Sequence, residues 1–317
     1  LALLSALVLA AGSPAGGEEQ LVLVRPQGSA GPLVAYAARG GELRFRLPAG
    51  RVAADRSVYY AATAAADGTR LRGYSPADGA LRSSWTIPDA RLGLAAVSPN
   101  GRWAVLGRRG VESSFAVVDG TTGSVVDRAT LSGDFEVEAI DAAGKRLFLI
   151  EHAAGRRYVI RLYDVAKARL DENPLVSKGS AAVMAGYAWD AVGSPDGRWL
   201  LTLYLSTARN LAFVHVLDLS NRVAVCVNLP SAIRGLGPLS RYVLTLAPGG
   251  SALYATNPVL GVVAELNLEQ RRVVSVVRFR PVRDAPRGPA VVSPDGRGLA
   301  LAAGRTVRVY DTLTRRI

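Results

Sequence analysis

Ser194-Pro195-Asp196-Gly197-Arg198 is a turn written in one stretch: a small hydroxyl, a proline that fixes φ, a carboxylate able to cap, and a glycine. The same five positions return as Ser98-Pro99-Asn100-Gly101-Arg102 and as Ser293-Pro294-Asp295-Gly296-Arg297. Degenerate copies lie between and before them, at Ala54-Asp55-Arg56, Asp141-Ala142-Ala143-Gly144-Lys145 and Ala247-Pro248-Gly249-Gly250. The six starts are about 43 to 53 residues apart, which is the length of one four-stranded propeller blade.

The order within each repeat supports that unit. Small apolar residues precede the turn, as in Gly93-Leu94-Ala95-Ala96-Val97 and Gly288-Pro289-Ala290-Val291-Val292, and suit an innermost strand where blades crowd around an axis. A β-rich run follows, such as Trp199 to Leu205 or Arg146 to Ile150, and reads as a buried middle strand. A third run ends in an apolar residue and Asp, as in Val117-Val118-Asp119, Leu162-Tyr163-Asp164, Val216-Leu217-Asp218 and Val309-Tyr310-Asp311, where the carboxylate can cap the next turn. Gly79 and Gly123 then precede outer strands at Ala80 to Ile87 and Ser124 to Leu131.

Tyr36, Tyr74, Val118, Tyr163, Leu217, Leu266 and Tyr310 mark seven equivalent third strands. The expected fold is therefore all-β: a seven-bladed propeller of four-stranded antiparallel blades at about 20–48, 51–89, 93–132, 137–178, 187–230, 240–281 and 288–317. The first blade is expected to lack its inner strand and the last to be truncated. Residues beyond Ile317 would supply what is missing, because an open ring leaves unpaired strand edges.

Across about Gln20 to Ile317 the chain resembles the YVTN and WD40-like seven-bladed propellers of bacteria. The Ser-Pro-Asp-Gly-Arg turns and Tyr-Asp strand ends carry the resemblance, together with Leu253-Tyr254-Ala255-Thr256-Asn257-Pro258, a close cousin of the YVTN signature. The Gly-His and Trp-Asp pairs of WD40 repeats are missing from their places. What the resemblance implies is a fold and a binding surface, not one activity.

With 49% hydrophobic and 20% charged residues, the chain is read as one β domain over 18–317. Residues 1–17 are read apart from it. The uncharged run Leu1 to Ala11 is too short to span a bilayer and is followed by the small residues Gly12-Ser13-Pro14-Ala15-Gly16-Gly17, as in a secretory signal cleaved after Ala15. A retained apolar anchor, with membrane association through this segment, is the alternative. Either places the protein outside the cytoplasm: secreted, periplasmic or bound to the cell envelope. Cys226 is the single cysteine, so the fold rests on burial and not on an internal disulfide.

Net charge is +12, almost all of the basic residues being arginine; only Lys145, Lys167 and Lys178 are lysines. Coding bias accounts for much of this, but Arg271, Arg272, Arg278, Arg280, Arg283 and Arg287 cluster, and an anionic partner is compatible with them. Nucleic acid is not expected, since no interleaved aromatics or known module accompany the arginines. His152, expected in a loop, and His215, within a strand, are the only histidines and are read as structural. No metal site, cofactor or catalytic set is expected: a triad or zinc site needs more convergence, and the turn aspartates lack the ligand density of calcium loops. Trp103 and Trp199, each following its turn, read as packing between blades.

A propeller gathers its inter-blade crossovers and its second-to-third-strand loops on one face. The long crossovers here bring Tyr187, Trp189, Asp190, Arg234, Arg241, Arg283 and Arg287 to the channel mouth as the candidate binding rim. The expected function is that of a non-catalytic exported scaffold that binds a protein or an anionic envelope ligand through this rim. The alternative is a propeller enzyme, such as a lactonase or a quinone-dependent dehydrogenase subunit.

Overall fold

The computed structural model describes residues 4–7, 21–26, 32–88, 92–154, 157–175, 184–231 and 235–317, and it is a ring of seven antiparallel sheets whose strands pair in chain order. Blade 1 is Leu4–Leu7, Leu21–Pro26, Pro32–Ala37 and Leu43–Ala49; blade 2 is Arg51–Val52, Tyr59–Ala65, Gly68–Tyr74 and Leu81–Ile87. Blade 3 is Gly93–Val97, Trp103–Arg108, Glu112–Asp119 and Val125–Ser132. Blade 4 is Phe135–Ile140, Arg146–Ala153, Arg157–Asp164 and Arg169–Leu170, with Met184–Ala185 pairing onto the start of its third strand. Blade 5 is Tyr187–Gly193, Trp199–Ser206, Leu211–Asp218 and Val223–Asn228; blade 6 is Val243–Leu246, Ala252–Asn257, Val262–Asn267 and Arg272–Arg278. Blade 7 has three strands among the described residues, Ala290–Val292, Gly298–Ala303 and Thr306–Asp311. All seven marker residues fall on third strands.

Blade 1 does not lack its inner strand. Leu4–Leu7 pairs with Leu23 to Pro26 in that position, the rest of 1–17 lying outside the described residues. An uncharged Leu/Ala run meets the packing demands of an inner strand as well as those of a signal segment, so its composition fits both.

The repeated turns are built alike. Gly101, Gly197 and Gly296 have φ of 70°, 75° and 74°, and each backbone N–H donates to the carbonyl of the turn's serine at 2.8 to 2.9 Å. The serine Oγ accepts the N–H five residues on, at 2.9 Å from Trp103, 2.8 Å from Trp199 and 2.8 Å from Gly298. The serine hydroxyls donate to Asn100, Asp196 and Asp295, and these side chains in turn accept the following arginine's N–H. The turn aspartates are thus engaged as caps. Arg56 stands in the left-handed region in blade 2, the place filled by glycine elsewhere.

In blades 3 and 5 the third-strand aspartate closes the second turn and pairs with the arginine of the first. Asp119 accepts Thr121 N–H at 2.9 Å and lies 3.2 Å from Arg102; Asp218 accepts Asn221 N–H at 2.9 Å and lies 3.3 Å from Arg198. Arg198 also reaches Glu269 in blade 6, which ties neighbouring blades on the turn face.

Blades are joined by apolar packing. Trp199 is buried within the cluster shared by blades 5 and 6. Trp103 is only half-buried, its indole lying over the turn glycine Gly144 of blade 4. Trp85 covers Gly123 and donates its indole N–H to Gly120 at 3.1 Å, repeating the arrangement between blades 2 and 3.

Candidate functional site

Contacts across the axis close its turn-face end. A Cβ on Gly193 of blade 5 would lie 3.2 Å from Ala54 of blade 2, and one on Gly197 would lie 2.8 Å from Pro99 of blade 3. Asp55 N–H donates to the Pro99 carbonyl at 2.9 Å. Blades 2 and 5 are not ring neighbours, and neither are blades 3 and 5, so the Gly193 and Gly197 contacts run through the middle of the ring at its turn-face end.

On that face, the first strand of blade 5 bulges between Ala188 and Asp190, so that Trp189 is the extra residue. Bulges re-aim side chains. Trp189 keeps 37% of its surface exposed while its indole N–H donates to the Ser240 carbonyl at 2.9 Å, and Tyr187, two residues earlier, is also exposed at 37%. Ser240 follows the short helix Leu236–Leu239 in the crossover to blade 6. The helix is held by Asn257, whose side-chain amide donates to the Pro238 carbonyl at 2.9 Å while its oxygen accepts the N–H groups of Val259 and Leu260 at 3.0 Å. The asparagine of the YVTN-like stretch therefore fixes the blade 6 loop and the neighbouring crossover together.

Asp190 and Arg287 form an ion pair, and Arg287 Nε donates to the Tyr242 carbonyl at 2.8 Å. Only 5% of Arg287 is exposed. A guanidinium so placed clasps the crossovers of blades 5, 6 and 7. Arg241 is half-buried, Arg283 is exposed, and Arg234 lies outside the described residues. The candidate rim thus divides into a buried clasp, Asp190 with Arg287, and the exposed residues Tyr187, Trp189 and Arg283.

A second polar group lies on the crossover face of blades 3 and 4. Arg109 holds Asp134 through two nitrogens, at 2.5 and 2.8 Å, and approaches Glu136 at 3.5 Å; His152 Nε2 is 3.0 Å from the same Glu136 oxygen. His152 is in the second strand of blade 4, not in a loop. The hydrogen bond from His152 holds the Glu136 carboxyl below the usual carboxylate range against burial, with Arg109 and Arg51 adding to it; the Arg109 hydrogen bond does the same for Asp134. Of these residues Arg109 and Glu136 line a cleft of about 240 Å³, with Arg51, Arg108 and Phe135 also in its wall. Ser113, also in the wall, has its hydroxyl engaged by the carbonyls of Gly110 and Gly133 and by the N–H of Phe135. The cleft thus presents charged side chains, while the Ser113 hydroxyl is held by backbone. Sequence reasoning missed the group because Arg109 and His152 are 43 residues apart and meet only through the ring.

No family model matches the chain, and no curated protein matches it. Among solved structures, the chain is similar to Kuenenia stuttgartiensis hydrazine synthase, with 17% identity over 92% of both chains and a TM-score of 0.55. At that identity the likeness carries the propeller fold and no reaction.

Proposed function

We propose that this propeller is an exported, non-catalytic scaffold that binds a protein or an anionic envelope ligand on its crossover face. The observation that carries the proposal is the pair Tyr187 and Trp189, two exposed aromatic residues on the crossover face, the second set by a bulge. Large, rigid aromatic surfaces beside polar groups are what binding hot spots are made of. Arg283 adds exposed positive charge on the same face, and a net charge of +12 favours capture of anions. His152, beside the cleft of blades 3 and 4, is paired with Glu136, and the Ser113 hydroxyl in the cleft wall is engaged by backbone, which supports binding over hydrolysis.

Export rests on the apolar start and the small residues after it. N-terminal sequencing of the protein recovered from its native cells tests this part. A start near Gly16 is the expected result, in which case the inner strand Leu4–Leu7 belongs to the precursor and is removed from the exported chain; an intact Leu1 in a soluble cytoplasmic fraction contradicts export. Binding is tested by comparing ligand capture by the unaltered protein with capture by a Y187A/W189A variant of unchanged melting temperature. Equal capture by both refutes the aromatic surface as the site.

A further inference from the structure

Polar groups buried between blades 4 and 5 have no part in that reading. His215, on the third strand of blade 5, is fully buried, and neither ring nitrogen has a hydrogen-bond partner. The rings of Tyr158 and Tyr204 flank it at 6.2 and 5.9 Å. Its Nδ1 is 3.4 Å from Glu138 Oε1, and the other Glu138 oxygen is unpartnered. Glu138 is the extra residue of a bulge in the first strand of blade 4, where the register passes from Val137 to Ala139. As on blade 5, the bulge re-aims a side chain, here into the seam between blades.

Directly opposite His215 in the ladder is Cys226. Such partners share a face of the sheet with Cβ atoms about 5 Å apart. Cys226 Sγ lies 3.1 Å from Met184 Sδ, which is brought in by the two-residue strand on blade 4. A thiol and a thioether in contact, beside a buried imidazole with unused nitrogens, form a donor set for a soft ion. Buried polar atoms without partners call for an explanation, and a bound ion is one of the few that serve.

We propose that Cys226, Met184 and His215 bind one soft monovalent d¹⁰ cation, copper(I), for which silver(I) is a laboratory substitute. The two sulfurs, in contact at 3.1 Å, set the selectivity for a soft ion; among the described residues no group of three His, Cys, Asp or Glu side chains is placed to hold a metal, so the site depends on the thioether. Glu138 next to Nδ1 orients the imidazole and leaves Nε2 to coordinate, as carboxylates behind metal-bound histidines do. On binding, the Cys226 S–H bond is replaced by an S–Cu bond and the proton passes to solvent; no electron is transferred.

The test is titration of the full, reduced protein with copper(I) under anaerobic conditions against a chromogenic copper(I) chelator, with native mass spectrometry of the silver(I) form. One ion per chain is expected. M184L, which preserves volume and apolar character, is expected to weaken binding at least ten-fold while keeping the wild-type melting temperature, as is C226S. No uptake overturns the proposal. So does unchanged affinity in M184L, which would show capture by the thiol alone, and so does tighter binding of zinc(II) than of copper(I). If C226S fails to fold, M184L decides.

Discussion

Replacing Gly144 by alanine tests the way blades are fastened together. Gly144 has φ of 71°, and a Cβ there would fall 2.4 Å from Cε2 and 2.6 Å from Cδ2 and Nε1 of Trp103 on the preceding blade. The indole cannot swing aside freely: its residue pairs with Asp119 in the ladder, and the Arg102 guanidinium lies 4.7 Å from the ring centre. G144A therefore combines left-handed backbone strain of about 1–2 kcal/mol with an overpacking cost of about 1–3 kcal/mol, about 2–5 kcal/mol in all. W103A removes a half-buried ring and is expected to cost about 3 kcal/mol, the low end for a large aromatic side chain. With the ring gone, only the backbone strain of G144A remains. The double variant should therefore be about 1–3 kcal/mol more stable than the sum of the single losses predicts. Urea unfolding followed by far-ultraviolet circular dichroism gives all four stabilities without relying on tryptophan fluorescence. If G144A costs the same with and without Trp103, the indole does not bear on the turn, and the inter-blade contact derived from it is wrong.

Two further outcomes follow from the charged contacts. R287A, which leaves Asp190 without its partner, is expected to destabilise the fold by about 3–5 kcal/mol; a loss below about 1 kcal/mol would remove Arg287 from the clasp. Stability should also fall in acid. Burial pushes the Asp218 carboxyl up, but the Asn221 N–H and side chain and the Arg198 guanidinium outweigh it and hold the folded-state value below the usual range; Asp119 is held down in the same way by Thr121 and Arg102. A depressed carboxylate stabilises the fold above its unfolded value of about 3.9 and ceases to do so as pH falls below it, so denaturation midpoints should decline below about pH 4. D218N should flatten that decline; an unchanged acid profile in D218N would remove Asp218 from the account.

The fold was legible because its decisive signals are local. Ser98, Ser194 and Ser293 each bond to groups within five residues, and a five-residue window is enough to identify the turn. The third-strand aspartates were readable for the same reason. Leu4–Leu7 was not, because strand and signal segments share a composition when charge is missing. The candidate site was legible only as a face. Topology placed Tyr187, Trp189, Asp190 and Arg287 at one end of the ring, but whether an arginine faces solvent or a buried carboxylate depends on a contact between residues 97 apart. Glu138 and Trp189 point where they do because of bulges, and one extra residue in a strand leaves no mark in an apolar pattern. Arg109, Asp134, Glu136 and His152 were invisible for want of any shared motif.

The central claim is that the crossover face is the binding surface, and the most direct measurement is paired capture from native envelope extracts. One bait carries Y187A/W189A on the crossover face, and another carries R297E on the turn face, where Arg297 lies in an exposed turn at the opposite end of the ring. The account predicts that one protein or anionic glycan is retained by the unaltered chain and by R297E and lost with Y187A/W189A. Retention by Y187A/W189A together with loss in R297E would contradict it and move the binding surface to the turns.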